Sequence, residues 1–119
     1  MQAKSKGFQL ISYINSQTLI YENVQIGDNC LILENITIQP FVKIGNNVMI
    51  WSGSQIAHHS IVGDHCFIAS HAVISGYTRI ESNCFIGMNS FIRDQITIRS
   101  GCVIGAGSII MRETEENQV

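Results

Sequence analysis

The sequence predicts an all-β solenoid, in which the chain winds into stacked three-sided coils of short parallel strands. An aliphatic residue returns at every sixth position, and residues that tolerate positive φ recur three positions after it. The composition agrees, because Ile is very common while the helix formers Ala and Leu are scarce. The 119 residues are enough for one domain.

The six-residue ladder runs from Ile14 to Ile110 without insertion or deletion. Its seventeen positions hold sixteen Ile and one Val, Val62. A helical period of 3.6 residues cannot keep this spacing on one face, and a plain two-residue alternation would not single out every third inward position. Three hexapeptides make one coil of eighteen residues, so the ladder predicts about five to six coils.

The remaining positions of the repeat describe the corners. A small or apolar residue stands two positions before each ladder aliphatic, and Asn or Gly usually stands three positions after it, where the chain turns. We therefore expect a lead-in strand or cap over residues 1–13, the solenoid over residues 14–111 and a polar tail over residues 112–119. The charges of the tail, with Lys4 and Lys6 at the other end, would discourage end-to-end stacking.

The four cysteines fall in one inward column, because multiples of eighteen residues separate Cys30, Cys66, Cys84 and Cys102. Neighbours on one face of a parallel ladder seldom have disulfide geometry. We therefore interpret them as small core residues in a reducing compartment. The column contains no histidine, so a zinc site is not expected there.

The charge pattern argues against nucleic acid or an anionic membrane as a partner. Charged residues make up 13% of the chain, the net charge is −2 and the basic residues are scattered. The N-terminal stretch lacks the apolar core of a signal peptide, and no apolar run reaches membrane-spanning length. A cytoplasmic location is the default expectation.

All four histidines lie within residues 58–71. The turn positions of three successive corners hold His59, His65 and His71, whereas His58 precedes a turn position. Histidines on different corners point apart, which excludes a metal cluster within one subunit. A trimer would bring corners together, as in γ-class carbonic anhydrases. Those enzymes combine one His with a pair of His five residues apart about two coils later, and this sequence has no His outside residues 58–71. No metal is therefore expected.

Three stretches of the sequence carry a family resemblance: NCLILENITIQPFVKIGNNVMIWSGSQIAHHSIVGDHCFIASHAVISG, NCFIGMNSFIRDQITI and GCVIGAGSII. Their pattern resembles the left-handed parallel β-helix of the hexapeptide-repeat acyltransferases. More closely, it resembles the sialic acid O-acetyltransferase-type family of sugar O- and N-acyltransferases. The left-handed sense of the β-helix is expected from this resemblance alone, since crossovers between parallel strands are otherwise right-handed in nearly all folds.

The resemblance implies transfer of an acetyl group from acetyl-CoA to a hydroxyl or amine of a sugar or nucleotide-sugar. His58 stands at the position of the family's general base, and Gly76 stands where a backbone N–H of the family donates to the thioester oxygen, so the resemblance implies these roles here. Gly76 follows His58 by eighteen residues, so we expect it one coil above on the same corner. Coenzyme contacts are implied at Met88 and Ala106, on a different corner beside the small residues 105–107.

His58 and Gly76 lie on one corner, and Met88 and Ala106 lie on another. The resemblance therefore implies a homotrimer with coenzyme A bound between neighbouring β-helices. His59 stands where the family often has Asp or Glu, and we interpret it as an acceptor-side contact or a surface residue. His65 and His71 are interpreted as turn residues, of which His71 is the better placed to line the groove.

Two family features have no counterpart in this sequence. Many members carry an N-terminal Rossmann-like domain for the nucleotide-sugar, and the residues KSKGFQLISYIN look like the last strand of such a domain. Members also continue into a tail with a Gly-x-Pro-Ala-type motif, whereas this sequence ends in RETEENQV. The alternative function is therefore a non-catalytic trimeric β-helix, either a truncated relict or an assembly scaffold.

Overall fold

A computed structural model describes residues 11–119, so Lys4, Lys6 and most of the predicted lead-in lie outside the described residues. Every ladder aliphatic is the second residue of a two-residue strand. The strands are β1 Tyr13–Ile14, β2 Leu19–Ile20, β3 Gln25–Ile26, β4 Leu31–Ile32, β5 Thr37–Ile38, β6 Lys43–Ile44, β7 Met49–Ile50, β8 Gln55–Ile56, β9 Ile61–Val62, β10 Phe67–Ile68, β11 Val73–Ile74, β12 Arg79–Ile80, β13 Phe85–Ile86, β14 Phe91–Ile92, β15 Thr97–Ile98, β16 Val103–Ile104 and β17 Ile109–Ile110.

These strands form the three faces of a prism. The first face is β1-β4-β7-β10-β13-β16, the second is β2-β5-β8-β11-β14-β17 and the third is β3-β6-β9-β12-β15. All the pairs are parallel, and each residue lies beside the residue eighteen positions later, as Phe67 lies beside Phe85. The predicted all-β solenoid of stacked parallel coils is confirmed. Within residues 11–119, no helix has the length and apolar character needed to cross a membrane.

The ladder aliphatics fill the interior, where most of them are completely buried, as Ile50, Ile68 and Ile86 are. Removing this apolar surface from water is the main force that holds the coils together. The turn residues adopt the positive φ that the sequence predicts, including His59, His65 and His71 at 58–60°. Phe41, Tyr77 and Gln95 also adopt it, at 57–65°, although their residue types do not favour this conformation.

The small inward residues have a second role that the sequence analysis did not identify. Their hydroxyl or thiol groups donate hydrogen bonds to the carbonyl fifteen residues later, at the corner of the next coil. These bonds satisfy backbone oxygens that the strand ladder leaves free. The pairs are Ser12–Gly27, Thr18–Leu33, Cys30–Gly45, Ser54–Ala69, Ser60–Ser75, Cys66–Glu81, Thr78–Arg93, Cys84–Arg99 and Ser90–Gly105.

The four cysteines are buried free thiols in this arrangement. The Sγ of Cys66 donates to the carbonyl oxygen of Glu81 at 3.1 Å. A hydrogen bond with Cys84, together with burial, raises the pKa of the Cys66 thiol, which keeps it protonated and able to donate. The cysteines therefore serve as polar corner donors as well as small core residues.

The C-terminal tail folds over the last coil. The backbone N–H of Val103 donates to the carbonyl of Gln118 at 2.8 Å, and the N–H of Asn117 donates to Ser100 at 2.9 Å. The Sγ of Cys102 contacts Thr114 Oγ1 at 3.1 Å and the carbonyl of Glu115 at 3.0 Å. The tail thus takes the hydrogen bonds that a further coil would otherwise form.

We expect Ser54→Ala to lower the free energy of unfolding by about 1–3 kcal/mol, because the Ala69 carbonyl loses its buried donor. Ser54→Cys should cost less, because a thiol fills the same role at Cys66. Chemical denaturation followed by circular dichroism measures both changes. The exposed Ser16→Ala is the matched control, with an expected change within about 0.5 kcal/mol. Equal stabilities of the Ser54→Ala and Ser16→Ala variants would contradict the role of the hydroxyl.

Candidate active site

The corner between the second and third faces brings His58 and Gly76 into direct contact. The N–H of His59 donates to the Pro40 carbonyl at 3.1 Å, and the N–H of Tyr77 donates to the His58 carbonyl at 3.0 Å, which holds successive coils in vertical register. A methyl group added at Gly76 would come within 2.9 Å of both Cε1 and Nε2 of His58. Gly76 therefore leaves room for this ring in its present position, and a larger residue there would displace it.

The backbone N–H of Gly76 has no acceptor among residues 11–119. Side chains cap the equivalent N–H groups elsewhere: on this same corner, Gln39 Oε1 accepts from the His58 N–H at 3.0 Å. The corner between the third and first faces has such caps as well. Asp64 Oδ1 accepts from the Asn46 N–H at 2.7 Å, and Ser82 Oγ accepts from the Asp64 N–H at 3.2 Å. The Gly76 corner thus offers a backbone donor beside the His58 ring.

The two adjacent histidines are in contact through their Nδ1 atoms, which lie 3.1 Å apart. At this distance one nitrogen carries the proton and the other accepts it. If His58 is the donor, its Nε2 keeps a free lone pair on the side of the ring that, with Cε1, faces Gly76. The contact therefore couples the tautomer of His58 to that of His59.

An aromatic column holds His59 in place, and it consists of Phe41, His59 and Tyr77. The His59 ring stacks on Phe41 at 5.0 Å between centroids and on Tyr77 at 4.6 Å, with interplanar angles of 16° and 6°. The edge of His58 meets Tyr77 at 5.3 Å. Sequence reasoning missed this column, although its members are spaced by eighteen residues and the register alone would have aligned them.

The other pair of predicted site residues, Met88 and Ala106, lies on the corner between the first and second faces. The N–H of Gly107 donates to the Met88 carbonyl at 2.8 Å, which stacks the two coils. A methyl group added at Gly107 would meet nothing within 4 Å, so the surface beside Ala106 is open. One chain therefore brings His58 and Gly76 together but keeps Met88 and Ala106 on a separate corner.

The remaining histidines stand apart from His58. His65 lies on the corner between the third and first faces, and His71 lies on the corner that carries Met88. A methyl group added at Gly53 would come within 2.3 Å of the His71 ring, so that ring covers the coil below. Within residues 11–119, no three His, Cys, Asp or Glu side chains converge to form a metal site.

Solved structures with the same architecture include several acyltransferases. The acetyltransferase domain of PglB from Neisseria gonorrhoeae FA1090 in complex with acetyl coenzyme A is 25% identical, with a TM-score of 0.93, over 98% of this chain and 57% of that one. PerB from Caulobacter crescentus, in complex with CoA and GDP-perosamine, is 21% identical, with a TM-score of 0.94, over 97% of this chain and 56% of that one. AntD, an N-acyltransferase from Bacillus cereus in complex with dTDP and 3-hydroxybutyryl-CoA, is 18% identical, with a TM-score of 0.82, over 98% of this chain and 80% of that one.

This chain spans little more than half of the length of the PglB and PerB structures. None of the curated protein sequences compared with the chain matches it. Two sequence models of repeat families do match. The bacterial transferase hexapeptide (six repeats) covers residues 41–76, and the hexapeptide repeat of succinyl-transferase covers residues 77–112. Together they account for more than half of the sequence, and residues 41–112 are identified as hexapeptide repeats of the kind that these two transferase models describe.

Proposed function

We propose that this chain is the β-helix of an acyltransferase that moves an acetyl group from acetyl-CoA to a hydroxyl or amine of a sugar or nucleotide-sugar. The observation that carries the proposal is the arrangement of His58, whose Nε2 lies against Gly76 while its Nδ1 contacts His59. The structural neighbours support acyl transfer, because PglB was solved with acetyl coenzyme A and PerB with CoA and GDP-perosamine.

In the proposed reaction, the acceptor oxygen or nitrogen attacks the thioester carbonyl while His58 Nε2 removes its proton. The carbonyl oxygen becomes an oxyanion that accepts a hydrogen bond from the Gly76 N–H. The intermediate then collapses: the carbon–sulfur bond breaks, and the coenzyme thiolate takes the proton from His58. The products are the acetylated acceptor and free coenzyme A, and His58 returns to its neutral form.

His59 acts in this proposal as a positioning residue. Its Nδ1 accepts the His58 Nδ1–H, which selects the tautomer of His58 whose Nε2 is free to act as a base. Stacking between Phe41 and Tyr77 restrains the His59 ring, so the Nδ1 that accepts the hydrogen bond from His58 stays in place. His59 also lines a groove on the third face. It can therefore contact the sugar acceptor there while its Nδ1 positions His58.

The active form is proposed to be a homotrimer. A pantetheine arm that contacts Met88 and Ala106 cannot also lie between His58 and Gly76 of the same chain, because the two columns occupy different corners. A cyclic assembly would place the coenzyme corner of one subunit beside the histidine corner of the next. The open surface beside Ala106 and Gly107 leaves room for the arm.

The first test compares the wild type with His58→Gln. Removing the general base should lower acetyl transfer by about 100-fold or more, while calorimetric titration should show coenzyme A binding unchanged. Transfer is measured as the release of free thiol from acetyl-CoA in the presence of a panel of nucleotide-sugars. His65→Gln is the matched control, since it makes the same substitution at a histidine on a different corner, and it should retain full activity.

The same experiment separates the enzyme from the scaffold. If the wild-type chain binds no coenzyme A at millimolar concentration, the non-catalytic β-helix is favoured and the enzyme is rejected. If coenzyme A binds and His58→Gln transfers acetyl groups at the wild-type rate, another residue is the base.

The second test addresses His59. His59→Phe keeps a ring that can stack between Phe41 and Tyr77 but cannot accept the His58 proton. We expect kcat to fall roughly 10-fold or more, because His58 would then also adopt the tautomer that carries its proton on Nε2 and cannot act as a base. The KM for acetyl-CoA should stay unchanged. His59→Asp tolerates positive φ and restores an acceptor, so it should recover much of the activity. Equal activities of the Phe and Asp variants would refute a role that depends on accepting a proton.

The third test addresses the shared site. Co-expression of a His58→Gln chain with an Ala106→Trp chain should restore activity, because mixed trimers contain sites with both residues intact. Random mixing predicts about a quarter of the wild-type activity. Each variant expressed alone should be inactive, and these samples are the controls. A co-expressed sample no more active than the single variants would show that one chain builds the whole site.

A further inference from the structure

The first face of the prism carries an apolar outer surface. Between Leu31 and Gly105, the outward positions on either side of its ladder isoleucines hold no polar residue. The equivalent positions of the third face include charged side chains such as Lys43 and Arg79. A contiguous apolar surface of this kind, confined to one face, is typical of a binding surface.

Three aromatic side chains form the centre of this surface, and we call Trp51, Phe67 and Phe85 the aromatic platform. The Phe67 ring stacks on Phe85, with 5.1 Å between centroids and an interplanar angle of 8°, and it contacts the Trp51 ring at 5.9 Å. Trp51 is 38% exposed and Phe85 is 42% exposed. The rings restrain one another while part of their surface stays accessible to a ligand.

The aromatic platform lies on the coils that hold the proposed catalytic groups. Trp51 belongs to the same coil as His58, and Phe67 belongs to the same coil as Gly76. In a trimer whose threefold axis runs parallel to the prism, each coil lies at the height of the same coil in its neighbours. The platform of one subunit is then level with the base and the oxyanion donor of the next.

The proposed coenzyme contacts set the direction of the acyl group. Met88 lies one coil above the coil of Gly76, and Ala106 lies two coils above it, so the pantetheine arm approaches the thioester from above. In the proposed reaction, the thioester oxygen accepts a hydrogen bond from the Gly76 N–H. The chain beyond the carbonyl carbon then continues downward, past Phe67 and towards Trp51.

We propose that Trp51 and Phe67 bind the acyl chain of the donor and favour acyl groups that are longer and more apolar than acetyl. This inference rests on the proposed acyl transfer and extends its donor. An acetyl group has a single methyl to place against two rings, whereas each further methylene removes more apolar surface from water. The chemistry at the thioester is unchanged: the carbon–sulfur bond breaks, the acyl carbon bonds to the acceptor, and His58 passes the acceptor's proton to the coenzyme thiolate.

The sugar acceptor fits this platform less well than an acyl chain does. A sugar that leaves water needs hydrogen-bonding partners as well as a ring on which to stack, and the outward neighbours of Trp51 and Phe67 on the face are apolar. Polar side chains begin at the corner beside Trp51, where the Ser52 hydroxyl donates to Oε1 of Glu34. This pair bounds the platform from below, which suits a chain of limited length.

Calorimetric titration of the full chain with CoA, acetyl-CoA, butyryl-CoA and hexanoyl-CoA tests the platform without any acceptor. We expect hexanoyl-CoA to bind about 10-fold or more tightly than acetyl-CoA, with butyryl-CoA between them. Trp51→Ser should reduce this ratio to about 3-fold or less, because a smaller apolar surface meets the chain, while the affinity for CoA itself stays within about 2-fold of the wild type. Tyr13→Ser is the matched control, since it removes an exposed aromatic side chain from the same face two coils below Trp51, and it should leave the ratio unchanged.

Equal affinities of the wild type for acetyl-CoA and hexanoyl-CoA would overturn the proposal, and so would a wild-type ratio in Trp51→Ser. Sedimentation velocity addresses the alternative that the platform packs against another copy of the chain. Trp51→Ser should keep the oligomeric state of the wild type, and a smaller assembly would overturn the proposal in favour of that contact.

Failure of this inference is distinguishable from failure of the acyl transfer. Binding of coenzyme A that does not depend on the acyl chain would overturn the platform alone. A preference for hexanoyl-CoA without any release of thiol in the presence of the nucleotide-sugar panel would overturn the acyl transfer alone. No binding of coenzyme A or of any of its thioesters would overturn both.

Discussion

The vertical register of the coils is the constraint on which the rest of the molecule depends. Strands eighteen residues apart pair in parallel, and most of the ladder aliphatics stack in the buried interior of the prism. A single insertion would move every later side chain to a different place on the prism. Because the ladder is uninterrupted over residues 14–110, residues far apart in sequence become neighbours in space.

The same register assembles the candidate site from small local differences between coils. Gly76 lies above His58, and Tyr77 lies above His59, only because the coils repeat without an offset. The corner thereby combines an imidazole, a backbone donor and a stacked partner for the imidazole. None of these groups requires a dedicated loop, so the strength of the fold and the geometry of the site have one origin.

The fold and the proximity of Gly76 to His58 could be predicted because both follow from periodicity. The eighteen-residue step placed Gly76 beside His58 before any coordinates, and the Asn, Gly and His turns were visible as residue types. The side-chain hydrogen bonds were not predictable in the same way. Ser54 and Cys66 read as small core residues, because their role as donors depends on the distance to a carbonyl in the next coil. The contact between His58 and His59 likewise depends on ring orientation, which spacing does not determine.

The tail over the last coil has a consequence for how copies of the chain can meet. An open parallel β-edge is a template on which another chain can continue the ladder. Here Gln118 and the residues around it occupy that template at the C-terminal end. These residues therefore disfavour continuation of the ladder by a second copy at this face, and they leave the sides of the prism, with the candidate corners, free for contacts between copies.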